Sequence, residues 1–187
     1  MKFLKVIVKN FKPYLDETII PLYTSSNADV PITAIVGPNG TGKTSICDAV
    51  LWAIYGKEQE KDLSKYTNNI AKDLTEAKKE LRVPVSVKLD LEIDGTNYQI
   101  VRNSIFNIQT KNEEGNIVTV IKDGSPIGET ADSVDWLRKN FPPYNVIRYY
   151  IFSAEEMLDE FETRKEAAVK DHINNITGIT ALAGVEK

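Results

Sequence analysis

One stretch of eight residues, Gly37-Pro38-Asn39-Gly40-Thr41-Gly42-Lys43-Thr44, limits what this 187-residue chain can fold into more than any other feature. It matches the pattern G-x-x-x-x-G-K-[ST] at every fixed position. Four fixed positions co-occur by accident in under ~1% of chains of this length, so the match is informative. Its flanks strengthen it. The apolar run 32–36 leads in, as expected of a buried strand in a sheet covered on both faces. The segment 45–55 leads out and is apolar almost all round, which predicts a buried helix. Gly56 is placed to end that helix.

The residue types follow from what a polyphosphate anion requires. A loop that wraps an anion must turn several backbone N–H groups inward, and glycine allows the dihedrals and the close approach. A helix starting near Lys43 adds the positive end of its dipole. Lys43 supplies a mobile charge for the β and γ phosphates, and is the residue expected to act in catalysis. The Thr44 hydroxyl is a hard oxygen ligand for Mg²⁺. Gly40, Thr41 and Gly42 complete the cradle. Ser45 is a further candidate, through its backbone or hydroxyl, for the α-phosphate. The bland alternative is a structural glycine turn.

Away from the loop, period-two alternation dominates. Residues 3–9 predict a strand and 18–22 its hairpin partner. Val85, Val87, Leu89, Leu91 and Ile93 predict an antiparallel, half-exposed strand over 83–93. Asp94-Gly95 predicts a hairpin turn. Further strands are expected at 98–101, 105–110 and 117–121, with turns at Glu114-Gly115 and Asp123-Gly124. Helices are expected at 69–81, at 131–140 with Val134, Leu137 and Phe141 on one face, and from about Ala154 onward. Residues 145–152 read as an apolar strand.

Composition excludes some functions. The chain is 42% apolar and 27% charged, as a soluble globular domain is. Its net charge is -4, so any grip on nucleic acid must come from a local patch or from other segments. Cys47 is the single cysteine, so no internal disulfide forms, which fits the cytoplasm. No membrane span or signal peptide is expected.

Gly37–Ser45, followed by Asp48-Ala49-Val50 and Leu51–Gly56, closely resembles the phosphate loop and first helix of SMC-like ATPases. These include the SbcC-type DNA repair ATPases, RecN, and the DndD-type proteins of phosphorothioate-linked DNA restriction. Phe3–Lys12 is similar to that family's first strand, which ends in Asn-Phe and a basic residue. Tyr149–Glu156 sits where the family places its Q-loop, and Ile176–Leu182 resembles the segment before its coiled coil. Together these cover most of the chain.

The resemblance implies an α/β fold, a P-loop NTPase of ABC-ATPase type, with a mixed, mostly parallel sheet around the P-loop helix and a lateral antiparallel β block. It implies that residues 1–187 are the N-terminal lobe of a head. Residues 1–56 would be the P-loop core, 83–125 the β block, and 145–187 a Q-loop-like turn and the start of a coiled coil. It further implies ATP and Mg²⁺ as cofactors, a C-terminal lobe of the same protein as partner, and a homodimer through ATP-bound heads. DNA and a nuclease are the implied partners of the whole protein. Asn39 would line the γ-phosphate, or else be a turn residue. Lys12 would reach the phosphates, or else be a solvated lysine. Ser153 stands in for the family's Q-loop glutamine as a metal contact, or caps the helix from Ala154.

Several family parts are missing. No Ser-Gly-Gly signature occurs. The nearest strand to a Walker B is 85–90, which Lys88 and its alternation rule out. His172 has no strand before it and reads as a surface residue. The chain alone is therefore expected to bind nucleotide and hydrolyse little. A self-contained P-loop kinase or GTPase-like enzyme would need its own Walker B, and a pure interaction module would have no use for intact Lys43 and Thr44. The cluster Lys72, Lys78, Lys79 and Arg82 could meet DNA phosphates. Interleaved Asp73, Glu76 and Glu80 favour a solvated face. Trp52, Trp136 and Cys47 read as packing residues.

Overall fold

The computed structural model describes residues 1–23, 33–58, 62–147 and 151. The chain divides into two units, Met1–Lys139 and Asn140–Lys187. In the first, strands β1 (Lys2–Lys9), β2 (Thr18–Pro21), β3 (Arg82–Ile93), β4 (Thr96–Asn107), β5 (Asn112–Lys122) and β6 (Ser125–Pro126) form one sheet in the order β2-β1-β3-β4-β5-β6. Every pairing among the described residues is antiparallel. No parallel pairing of the mostly parallel core expected around the P-loop helix lies among the described residues, and the β block expected to lie to one side is continuous with the N-terminal hairpin through β1 and β3.

The alternation read from β3 places the core. Val83, Val85, Val87, Leu89 and Leu91 are fully buried, joined on the same face by Val6, Val8, Ile100, Val118 and Val120. Helix α1 (Lys43–Tyr55) lies on this face against β1, β3 and β4. It buries Ile46, Ala49, Val50, Leu51, Trp52, Ala53 and Ile54. Each large apolar side chain removed from water contributes about 1.5–3 kcal/mol. Trp52 anchors an aromatic cluster, its ring centroid 5.7 Å from Phe11 and 6.5 Å from Tyr66. Cys47 is half-buried rather than part of the core.

Gly56 ends α1 as expected, with φ of 55° and its N–H on the Trp52 carbonyl. The buried Arg102 of β4 meets the same helix end. Its Nε donates to the Ala53 carbonyl at 3.1 Å and its Nη2 to the Ile54 carbonyl at 3.1 Å. These are carbonyls that a helix terminus leaves without intrahelical partners. Helix α2 (Asn69–Ala77) is capped by Asn68, whose Oδ1 accepts from the Ala71 amide at 3.0 Å. It is shorter than the expected 69–81, and Lys79 turns left-handed just beyond it (φ 60°). Helix α3 (Thr130–Asn140) matches the expected span closely.

Asp94-Gly95 and Asp123-Gly124 are hairpin turns as read, each with two positive φ angles, as type I′ geometry demands. Expectations are corrected in three places. Glu114-Gly115 is not a turn. Asn103 pairs Ile117 while Ile105 pairs Glu114, so β5 carries one extra residue, and Gly115 (φ 66°) takes the left-handed position of a bulge. The residues read as separate strands at 98–101 and 105–110 are one continuous β4.

The second correction concerns the strand before the phosphate loop. Ile32 lies outside the described residues. Thr33–Val36 form no strand and are exposed, Val36 at 91%. No strand among the described residues runs beside them, so their backbone has no ladder to join. The third lies in the second unit. Residues 144–147 are helix α4 (Tyr144–Ile147), not strand, because Pro143 starts a helical turn and its carbonyl accepts from the Val146 amide at 2.9 Å. Phe152 and the helix expected from Ala154 lie outside the described residues.

Candidate phosphate-binding site

Residues Gly37–Gly42 form a tight turn that feeds directly into α1. Gly40 (φ 82°) and Gly42 (φ 96°) both take left-handed dihedrals that L side chains resist. Gly42 occupies the cap position of α1 with no side-chain cap hydrogen bond, and the first turn holds no acidic residue. The amides at the start of a helix lack intrahelical acceptors. Here they have neither a capping side chain nor a first-turn carboxylate to compete with an anion. That is the donor set a phosphate needs.

The Lys43 ammonium folds back over the loop. It donates to the Gly37 carbonyl at 2.8 Å and the Pro38 carbonyl at 2.7 Å. The Thr41 hydroxyl donates to the same Pro38 carbonyl at 2.8 Å, closing the turn on itself. Asn39, Gly40 and Thr44 are exposed, and Ser45 is half-buried. Asn39 does not use the left-handed conformation allowed to a turn residue. Thr44 sits in the first turn of α1, so its hydroxyl shares a surface with the loop and its donor chemistry fits Mg²⁺. Ser153 lies outside the described residues.

Lys12 is brought to this helix, though not to the loop itself. Its ammonium pairs with the Asp48 carboxylate one turn along α1 and stands 5.1 Å from the Tyr66 ring centroid. The elbow that carries it is tightly held. Asn10 (φ 52°) and Lys12 (φ 48°) are both left-handed. The Lys12 amide donates to the Tyr66 carbonyl at 2.6 Å, and Asn68 Nδ2 donates to the Lys12 carbonyl at 2.7 Å. Sequence reasoning misses Tyr14, whose hydroxyl donates to the Gly42 carbonyl at 3.2 Å. The neighbouring Pro13 reads in the sequence only as a strand interruption. Burial raises the Tyr14 pKa above its ordinary value, so the hydroxyl keeps its proton across the neutral range.

The basic cluster considered for DNA is partly engaged internally. Arg82 binds Glu114 at 2.7 Å, and Lys72 donates to the Ser64 carbonyl at 2.8 Å. Trp136 packs with Tyr98 at 4.8 Å between centroids.

The sequence is similar to those of known proteins. The model of the AAA domain family matches residues 5–182. The DNA double-strand break repair Rad50 ATPase of Thermoplasma acidophilum is 29% identical over 157 residues, 82% of this chain and 16% of that protein. Structural maintenance of chromosomes protein 4 of Caenorhabditis elegans is 28% identical over 183 residues, 95% of this chain and 11% of that one. The probable DNA double-strand break repair Rad50 ATPase of Aquifex aeolicus is 28% identical over 189 residues, 100% of this chain and 18% of that one. The chain thus spans less than a fifth of the length of these relatives. It belongs to the AAA domain family, as the N-terminal lobe of an SMC-like ATPase with an α/β P-loop fold.

Proposed function

We propose that this chain is the ATP-binding lobe of an SMC-like ATPase that acts on DNA, in repair or in restriction and anti-phage defence. The observation that carries the proposal is the uncapped start of α1, joined to a loop with left-handed Gly40 and Gly42 and the Lys43 ammonium folded over it. In this account the first-turn amides bind phosphate oxygens, and Lys43 leaves its loop carbonyls to neutralise the β and γ phosphates. Thr44 would hold Mg²⁺ through its hydroxyl, and the metal, when bound, supplies charge neutralisation at the phosphate oxygens. Asn39, Thr41 and Ser45 line the same loop. Ser153 is a further proposed metal contact.

A C-terminal lobe is the proposed source of the Walker B carboxylates and the signature motif. The exposed Ile35 and Val36, immediately before the loop, support a partner element covering this segment. Two completed heads would engage around ATP and separate on hydrolysis, a switch in which the nucleotide adds charge and contact surface between them. DNA is a proposed partner of the full-length protein, in line with the DNA repair names of the two Rad50 relatives. A nuclease is the other proposed partner. No helix among the described residues is long and apolar enough to cross a membrane, and the proposed compartment is the cytoplasm.

The test is equilibrium binding of ATP with Mg²⁺ by this chain, together with single-turnover hydrolysis. Binding with very slow cleavage is expected. Brisk cleavage by the lone chain would refute the division of labour between lobes.

A further inference from the structure

We propose that Tyr14 is a positioning residue for triphosphate binding, acting through the peptide unit that joins Gly42 to Lys43. The inference rests on the nucleotide-binding role proposed above and adds a residue that no motif in the loop contains.

The hydroxyl of Tyr14 donates to the Gly42 carbonyl at 3.2 Å. That carbonyl belongs to the same amide plane as the Lys43 N–H, because a peptide bond is planar. The Lys43 N–H is the first of the α1 amides left without an intrahelical acceptor. A donor on the carbonyl side therefore does two things to this amide. It fixes the rotation of the plane, which sets where the N–H points. It also polarises the amide, which makes the N–H a better donor to an anion.

Steric evidence reinforces the electronic argument. A Cβ placed on Gly42 would stand 2.7 Å from Pro13 Cγ and 2.9 Å from the Tyr14 hydroxyl oxygen. Pro13 and Tyr14 thus form the wall against which Gly42 takes its left-handed φ of 96°. The wall is itself preorganised. The Phe11 amide donates to the Tyr14 carbonyl at 2.9 Å and the Tyr14 amide to the Phe11 carbonyl at 2.9 Å. Tyr66 and Asn68 pin the Lys12 backbone between them. Positive φ at Asn10 and Lys12, costly for side chains that carry a Cβ, persists because these bonds hold the elbow in place.

Tyr14→Phe tests the proposal, since it keeps the ring that fills the wall and removes only the donor. At 3.2 Å the bond is long for O–H···O, so the effect belongs at the low end for a neutral hydrogen bond. Triphosphate affinity should weaken about 2- to 5-fold. The Lys43 amide resonance of the ligand-free protein should move while the melting temperature stays within about 2 °C of wild type. Tyr14→Leu, which removes the hydroxyl together with the ring, should bind triphosphate at least as weakly as Tyr14→Phe. It also decides the matter should Tyr14→Phe fail to fold. Wild-type affinity in whichever variant folds, or an unmoved Lys43 resonance in a folded Tyr14→Phe, would overturn the proposal. A wild-type chain that binds no triphosphate at all would instead overturn the nucleotide-binding role on which it rests.

Discussion

Replacing Arg102 with leucine should destabilise the first unit by about 3–5 kcal/mol, and the figure follows from what the guanidinium touches. Arg102 is 7% exposed. It donates to the carbonyls of Ala53 and Ile54 and, through Nη1 at 2.8 Å, to Asn116 Oδ1. Removing the donor leaves two buried helix-end carbonyls short of a partner, at about 1–3 kcal/mol each. The favourable interaction of a cation with the negative end of α1 goes as well, about 0.3–1 kcal/mol or somewhat more where partly buried. Against this, leucine avoids the cost of desolvating a charge, which keeps the net near that for breaking a buried ionic contact. Urea denaturation followed by tryptophan fluorescence, to which Trp52 on the same helix contributes from a site 1% exposed, reads the loss. For a domain of this size the matching fall in melting temperature is about 6–20 °C. Arg102→Lys keeps the charge but not the fork and should recover less than half of the loss. A leucine variant within about 1 kcal/mol of wild type would show that the carbonyls find other partners, and the account of this helix end would be wrong.

Trp52→Ala should cost about 3–5 kcal/mol, measured in the same denaturation assay with near-UV circular dichroism as probe, because it empties the space beside the stacked rings of Phe11 and Tyr66. Gly56→Ala should destabilise measurably on heating, since φ is 55° and the new Cβ would stand 2.6 Å from Arg102 Nη1. Acid should weaken the fold through two carboxylates. Hydrogen bonds from Ser64 lower the Asp62 pKa, and those from Arg82 and Asn107 lower that of Glu114. Folded values below unfolded ones mean stability present above the ordinary carboxylate range and lost as pH falls through the folded values. Urea midpoints taken from neutral pH down to about pH 3 should show this decline, and Arg82→Met should flatten it.

How far the sequence carries depends on how local each signal is. The alternation of Val83 to Leu91 needs only the pleat of one strand, and it marks both β3 and the core face. The phosphate loop and Gly56 are likewise set by neighbouring residues. Gly115 reads as a turn because a glycine in a turn and a glycine in a bulge leave the same local signature; only the pairing of Asn103 and Ile105 across the sheet separates them. The segment 33–36 reads as buried from its apolar side chains, but burial is a property of what lies beside it. At 144–147 the apolar run outweighs the Pro142-Pro143 signal that starts a helical turn. Within the site, Tyr14 and Gly42 are 28 residues apart, and Lys12 and Asp48 are 36 apart. No periodicity links such pairs. The turn of the loop and the start of its helix are therefore legible in the sequence, and the elbow that braces them is not.

Calorimetric titration of ATP with Mg²⁺ into the wild-type chain and Lys43→Ala tests the central claim most directly. A charge-assisted hydrogen bond contributes about 1.5–3 kcal/mol, so the variant should bind about 10- to 150-fold more weakly while its circular dichroism is unchanged. Equal affinity in the two proteins, or no binding by the wild type, would contradict the account.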